Sequence, residues 1–199
     1  MADKYQDFSA MSVLEKPKRD YLIRLRNTGS SIVIVAPHGG GIEPGTSEIA
    51  EAIAGGNHSF YAFEGIKSRN NRNLHITSAR FDEPRCLALV ESSTTAITVH
   101  GEGSEGSFVF LGGRDKNTLK RIASSLLTRR FRVKRHKSPM LQGQDSKNIC
   151  NRVRSGIGVQ IELSKGLRRS FFRSFSRDGR ACKTLRFHDF VDAVREGIE

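Results

Sequence analysis

The chain has 199 residues, with 33 Lys and Arg against 21 Asp and Glu, a formal charge of +12 and 37% hydrophobic residues. That length and balance fit one globular domain with a real core and exclude a disordered chain. No apolar run approaches the ~18 residues of a membrane span, and MADKYQDFSAMSVLEK lacks the apolar centre of a secretory signal, so a cytoplasmic location is expected.

The charge favours a polyanionic partner, either nucleic acid or a polycarboxylate. Cys86, Cys150 and Cys182 are odd in number and form no CxxC. Reduced structural thiols are therefore expected.

In chain order, the apolar run Ser31-Ile32-Val33-Ile34-Val35 reads as a buried strand over 31–36. The stretch APHGGGIEPGTSEIAEAI follows. Pro44, Thr46 and Glu48 with Ile49, Ala52 and Ile53 predict a helix over 44–55. Strands are predicted over 59–64 and 72–76, a helix over 83–92 and a strand over 94–100. A strand over 107–112 leads to a helix over 115–128, whose Leu119, Ile122 and Leu126 share one face. Strands over 130–135 and 157–163 and a helix over 187–197 complete the series, with loops at 138–156 and 173–183. Alternating strands and helices predict an α/β fold, a mixed sheet flanked by helices.

In open α/β sheets, sites form beyond the carboxyl ends of strands. His38 lies just past the first strand, His100 ends Ala96-Ile97-Thr98-Val99, and Glu162 lies near the end of Gly158-Val159-Gln160-Ile161. Catalytic zinc takes three protein ligands and keeps a position for water, and two His with one Glu is a common set. His38 and Glu43 would be the close pair on a glycine loop, with His100 the distant ligand. Each piece also has a plainer explanation: a structural His, an acid at a helix dipole end and a tight turn. Glu162 interrupts an apolar strand and would suit a general base beside an activated water. Alternatively it faces solvent on an edge strand, since Gln160, Glu162 and Ser164 share a face. The residues alone leave these readings open.

At these positions the sequence resembles the poly-γ-glutamate hydrolase family of bacteriophages and bacilli. The matching segments are APHGGGIEPGTSEIA (36–50), LHITSARFDEP (74–84), ITVHG (97–101) and GVQIELSKGLRR (158–169). The resemblance implies a compact zinc carboxypeptidase-like fold over a single domain spanning 1–199. It implies one zinc ion on His38, Glu43 and His100, and Glu162 as catalytic carboxylate. It implies hydrolysis of γ-glutamyl amide bonds in an anionic capsule polymer, by a protein released on lysis if the gene is viral. Every residue of that polymer carries a free carboxylate, and arginine forks match carboxylates. Arg80, Arg168 and Arg169 are the candidate substrate contacts, with His75 either substrate-facing, behind a metal ligand, or simply packed in a strand. A monomer is expected.

Two other functions fit parts of the pattern. A zinc amidohydrolase could act on a smaller N-acyl amino acid or cell-wall peptide. A non-catalytic nucleic-acid-binding protein would use the charge together with Phe131, Phe171, Phe172 and Phe175, interleaved with arginines. Any chain of this charge binds nucleic acid non-specifically.

Overall fold

A computed structural model describes residues 3–199. It contains one seven-stranded mixed sheet. The strands are β1 (Tyr21–Arg26), β2 (Ile32–Gly40), β3 (Ser59–Gly65), β4 (Thr95–Glu102), β5 (Val109–Gly113), β6 (Val133–Lys134) and β7 (Val159–Ser164), in the order β1-β3-β2-β4-β7-β5-β6. The central strands β3, β2, β4 and β7 run parallel, while β1 and β5 pair antiparallel with β3 and β7. Among the described residues no helix is long and apolar enough to cross a membrane.

The parallel strands are apolar on both faces because helices cover both. On one side, Ile34, Ala36, Ile97, Val99, Ile161 and Leu163 pack against α2 (Thr46–Ala54), α4 (Lys116–Thr128) and α7 (Leu185–Ile198). On the other, Val33, Val35, Tyr61, Phe63 and Ala96 meet α1 (Phe8–Leu14) and α3 (Pro84–Ser92). Two short helices, α5 (Lys165–Ser170) and α6 (Arg177–Ala181), lie between β7 and α7.

Four expectations are corrected. Residues 72–76 form no strand. Asn70 adopts a left-handed conformation (φ 61°), and Asn71–Leu74 closes into a 3-10 turn. The strand expected over 130–135 is only Val133–Lys134. The presumed loops contain α6 and two 3-10 turns, Pro139–Leu141 and Ile149–Asn151. Finally, β7 is not an edge strand, since β4 and β5 flank it.

Candidate active site

His100 and Glu162 are direct neighbours in the parallel register of β4 and β7. Adjacent strand positions point to one face, so the pairing places both side chains together near the carboxyl ends. They share the face of Thr98 and Gln160, away from the Ile161–Leu163 core. His38 arrives from β2 by a different device. The β2–β3 register shifts between Ala36 and Gly39, a bulge that redirects the chain at the site. Gly40 then takes φ 63°, and a Cβ there would lie 2.5 Å from the Gly65 carbonyl oxygen. Only glycine suits that turn, and it carries Glu43 back over the strand ends.

His38, Glu43, His100 and Glu162 are buried and line one cleft of about 630 Å³. His38 Nε2 donates to the Ile76 carbonyl at 2.7 Å, which leaves a lone pair on Nδ1. That Nδ1 lies 3.4 Å from Glu43 Oε1 and 3.2 Å from His100 Nδ1. His100 Nδ1 is also 4.0 Å from Glu43 Oε2, while its buried Nε2 has no hydrogen-bond partner among the described residues. His75 Nδ1 pairs with Asp3 Oδ1 at 2.6 Å, and its Nε2 faces Glu43 Oε1 at 3.7 Å. Ligand atoms from His38, Glu43 and His75 all fall within 4.8 Å of one another.

Three imidazoles thus surround one carboxylate. Burial and the neighbouring His38 push His100 down to about 3 and His75 down to about 4, so both are neutral near pH 7. Burial raises Glu43, but the histidines outweigh it and hold this carboxylate well below its usual range. The Gly101 backbone N–H fixes Glu43 Oε2 at 2.7 Å.

Imidazole nitrogens gathered around a carboxylate make a donor set suited to a cation. Tetrahedral zinc with bonds of about 2.1 Å separates its ligand atoms by about 3.4 Å. The 3.2 and 3.4 Å spacings around His38 Nδ1 match that value, while the 4.0 Å from His100 to Glu43 exceeds it. The donor types fit zinc, with either His100 or His75 as the ligand beside His38 and Glu43.

Glu162 Oε1 accepts from Gln160 Nε2 at 2.9 Å, and Asn148 Nδ2 donates to Gln160 Oε1 at 2.8 Å. Oε2 of Glu162 has no hydrogen-bond partner among the described residues. Burial first, then the charges of Glu43 and Glu102, push this carboxyl well above its usual range.

The candidate arginines divide. Arg80 lines the cleft and donates to Asp3 Oδ2 at 2.7 Å. Arg168 and Arg169, expected to meet substrate, do not line it. Ser164 caps α5, and the helix turns Arg168 back onto the carbonyls of Pro44, Glu102 and Leu163 at 2.6–3.1 Å, where it is buried. Arg169 pairs with Glu105 on the surface. In their place the cleft holds Arg72, 3.4 Å from Glu43, together with Asp3 and the segment 139–145, none of them marked by a sequence motif. Of the four phenylalanines expected to stack on bases, Phe131, Phe171 and Phe172 are core residues, and Phe175, partly buried, lies under Arg168 and Arg169.

A family model described as poly-gamma-glutamate hydrolase matches residues 5–193. The chain belongs to the poly-gamma-glutamate hydrolase family. Among relatives of this hydrolase family, UPF0714 protein YndL of Bacillus subtilis is 37% identical over 96% of this chain and 76% of its own length. The SPbeta prophage-derived UPF0714 protein YoqZ of the same organism is 35% identical, over 99% and 72%. A bacteriophage poly-gamma-glutamate hydrolase structure superposes with TM-score 0.95 at 31% identity, over 99% of this chain and 97% of that one. A zinc-free apo structure of YndL gives TM-score 0.93 at 36% identity, over 99% and 98%.

Proposed function

We propose that the chain is a single zinc-dependent hydrolase domain that cleaves γ-glutamyl amide bonds within poly-γ-glutamate. The observation that carries this reading is the convergence of the His38 and His100 ring nitrogens on Glu43, in a cleft that also holds the buried Glu162. His38, Glu43 and His100 would hold one zinc ion per chain. Bound there, zinc would supply a Lewis acid for the scissile carbonyl and lower the pKa of a water toward ~7.

Glu162 removes a proton from the attacking water and returns it to the leaving amine. Gln160, itself braced by Asn148, holds one oxygen and leaves Oε2 to carry that proton. Arg72 and Arg80 offer guanidinium forks at the cleft wall for the carboxylates that flank a γ-linked bond. The Gly101 N–H fixes Glu43 and so sets the geometry of the ligand cluster.

The test follows the chain length of poly-γ-glutamate with the protein as purified, chelated, and chelated then resupplied with zinc. Shortening is expected to stop on chelation and return with zinc. Glu162→Gln is expected to keep its zinc and lose about 10²–10⁴-fold in kcat. Hydrolysis that persists in metal-free protein overturns the mechanism. A zinc-loaded protein that leaves the polymer intact would point to a smaller amide substrate.

A further inference from the structure

We propose that the groove between α4 and β6 is a second anion site, which holds the polymer chain beyond the catalytic cleft. This inference rests on the polymer reading above and extends it. The groove has a volume of about 450 Å³ and is flanked by Lys116, Lys120, Lys134 and Arg135, over a floor that includes Leu111 and Leu119. No acid lines it. Lys116 and Lys120 are one helical turn apart, so both ammonium groups project from one face.

The four cations are not neutralised. Lys116 donates to the Gly113 carbonyl at 3.2 Å, and Arg135 to the side-chain oxygen of Gln142 at 2.7 and 3.1 Å. Lys134 Nζ sits 3.5 Å from the centre of the Phe108 ring. Among the described residues none of the four forms an ion pair. By contrast, Arg129 pairs with Glu196, Arg152 with Glu91 and Arg169 with Glu105. Four cations without ion-pair partners among the described residues, around an apolar floor, create a local positive potential.

Position joins the groove to the cleft. Gln144 lines both, and its Nε2 is fixed by the Gly113 carbonyl at 2.6 Å. The same segment supplies Gln142, which anchors Arg135, and Leu141 and Met140 on the cleft side. A chain leaving the cleft across Gln144 enters the groove directly. The chemistry recognised is a flexible polycarboxylate with methylene spacers: the cations meet its carboxylates and the floor its hydrocarbon. Single-stranded nucleic acid fits less well, because the lining contains no aromatic face for base stacking.

The test combines Lys116→Glu with Lys120→Glu in the zinc-loaded protein. A control combines Lys18→Glu with Arg154→Glu, exposed positions outside both cavities, for the same change in net charge. KM is measured on long poly-γ-glutamate and on a short γ-linked oligomer. Binding of long polymer is measured separately in the Glu162→Gln background at low and high salt. Two reversed surface charges correspond to about tenfold in affinity. The groove pair is expected to raise KM on long polymer about tenfold more than on the oligomer, and to flatten the salt dependence of binding. The control pair should do neither.

Equal effects on the two substrate lengths, or an equal loss in the control pair, would overturn the inference. So would a groove variant that loses affinity for single-stranded DNA but keeps it for the polymer. If no γ-linked substrate of any length is cleaved, the hydrolase reading falls. The binding arm then still decides whether the groove holds the polyanion.

Discussion

Asp3 collects more hydrogen bonds than any acid near the cleft: His75 Nδ1, the Thr77 N–H and hydroxyl, and Arg80, all at 2.6–2.7 Å. Burial pushes its carboxyl up, but the hydrogen bonds from Thr77 and His75 outweigh this and hold it at about 2. An unfolded aspartate titrates near 3.9. The folded state therefore favours the ionised form. That contribution is complete above about pH 4 and is lost as pH falls toward about 2. Asp3→Asn is expected to cost about 1–3 kcal/mol at pH 7, since an amide turns a donor toward groups that already donate. In urea unfolding, its deficit should be constant from pH 7 to about 4 and shrink below that. A deficit unchanged down to pH 3 would mean that packing, and not the charge, is what Asp3 supplies. No motif announces Asp3, because its partners lie 72 and more positions away and meet it only through the fold. His38, His100 and Glu162 were easier to find, since each ends an apolar strand. The partner of His38 is a backbone carbonyl, which has no signature in a sequence.

At the scale of elements, periodicity found what is buried. β2, β3, β4 and β7 and helices α2, α3, α4 and α7 lie within a few residues of their expected positions because apolar residues mark them. β1 carries no such mark, because Tyr21–Arg26 is a half-exposed edge strand with alternating arginines. The polarity of α5 misled in a different way: Lys165–Ser170 looks like a basic surface patch, yet it returns Arg168 into the interior. This makes the β4 terminus and α5 one mechanical unit. A Cβ on Gly101 would lie 2.5 Å from the Arg168 guanidinium carbon. That group is held by three carbonyls and cannot swing away cheaply. Gly101→Ala is therefore expected to displace the strand end whose N–H fixes Glu43. The expected cost is about 1–3 kcal/mol of stability, together with weaker zinc binding. Thermal unfolding and a zinc titration would measure both, and wild-type values in each would show that the contact yields freely.

Over the whole molecule, the +12 charge divides into two populations. Arg168, Arg180 and Arg186 serve the fold: Arg180 pairs with Glu48, and Arg186 donates to the Arg129 and Arg130 carbonyls while stacking on Phe131. Arg168 and Arg180 are buried within a basic run whose Arg169, Arg173, Arg177 and Lys183 stay exposed. The unpaired cations of the α4–β6 groove remain to act on solution. At the cleft the balance is reversed: the ring nitrogens of His38, His75 and His100 crowd the Glu43 carboxylate, which is held by the Gly101 N–H and Arg72. Such a cluster destabilises the metal-free fold, and a cation that binds only the folded state stabilises it by mass action. Zinc at about a thousand times its Kd should contribute about 4 kcal/mol. For a chain of this size that corresponds to a rise of about 8–16 °C in Tm. His38→Ala, which removes the central donor, should fold and show little of this rise. Calorimetry of chelated and zinc-resupplied protein would measure it. A Tm indifferent to zinc in the wild type would mean that the acceptors are satisfied by something other than a metal, and the ligand assignment would fall. An equal rise in wild type and His38→Ala would place the ion elsewhere on the molecule.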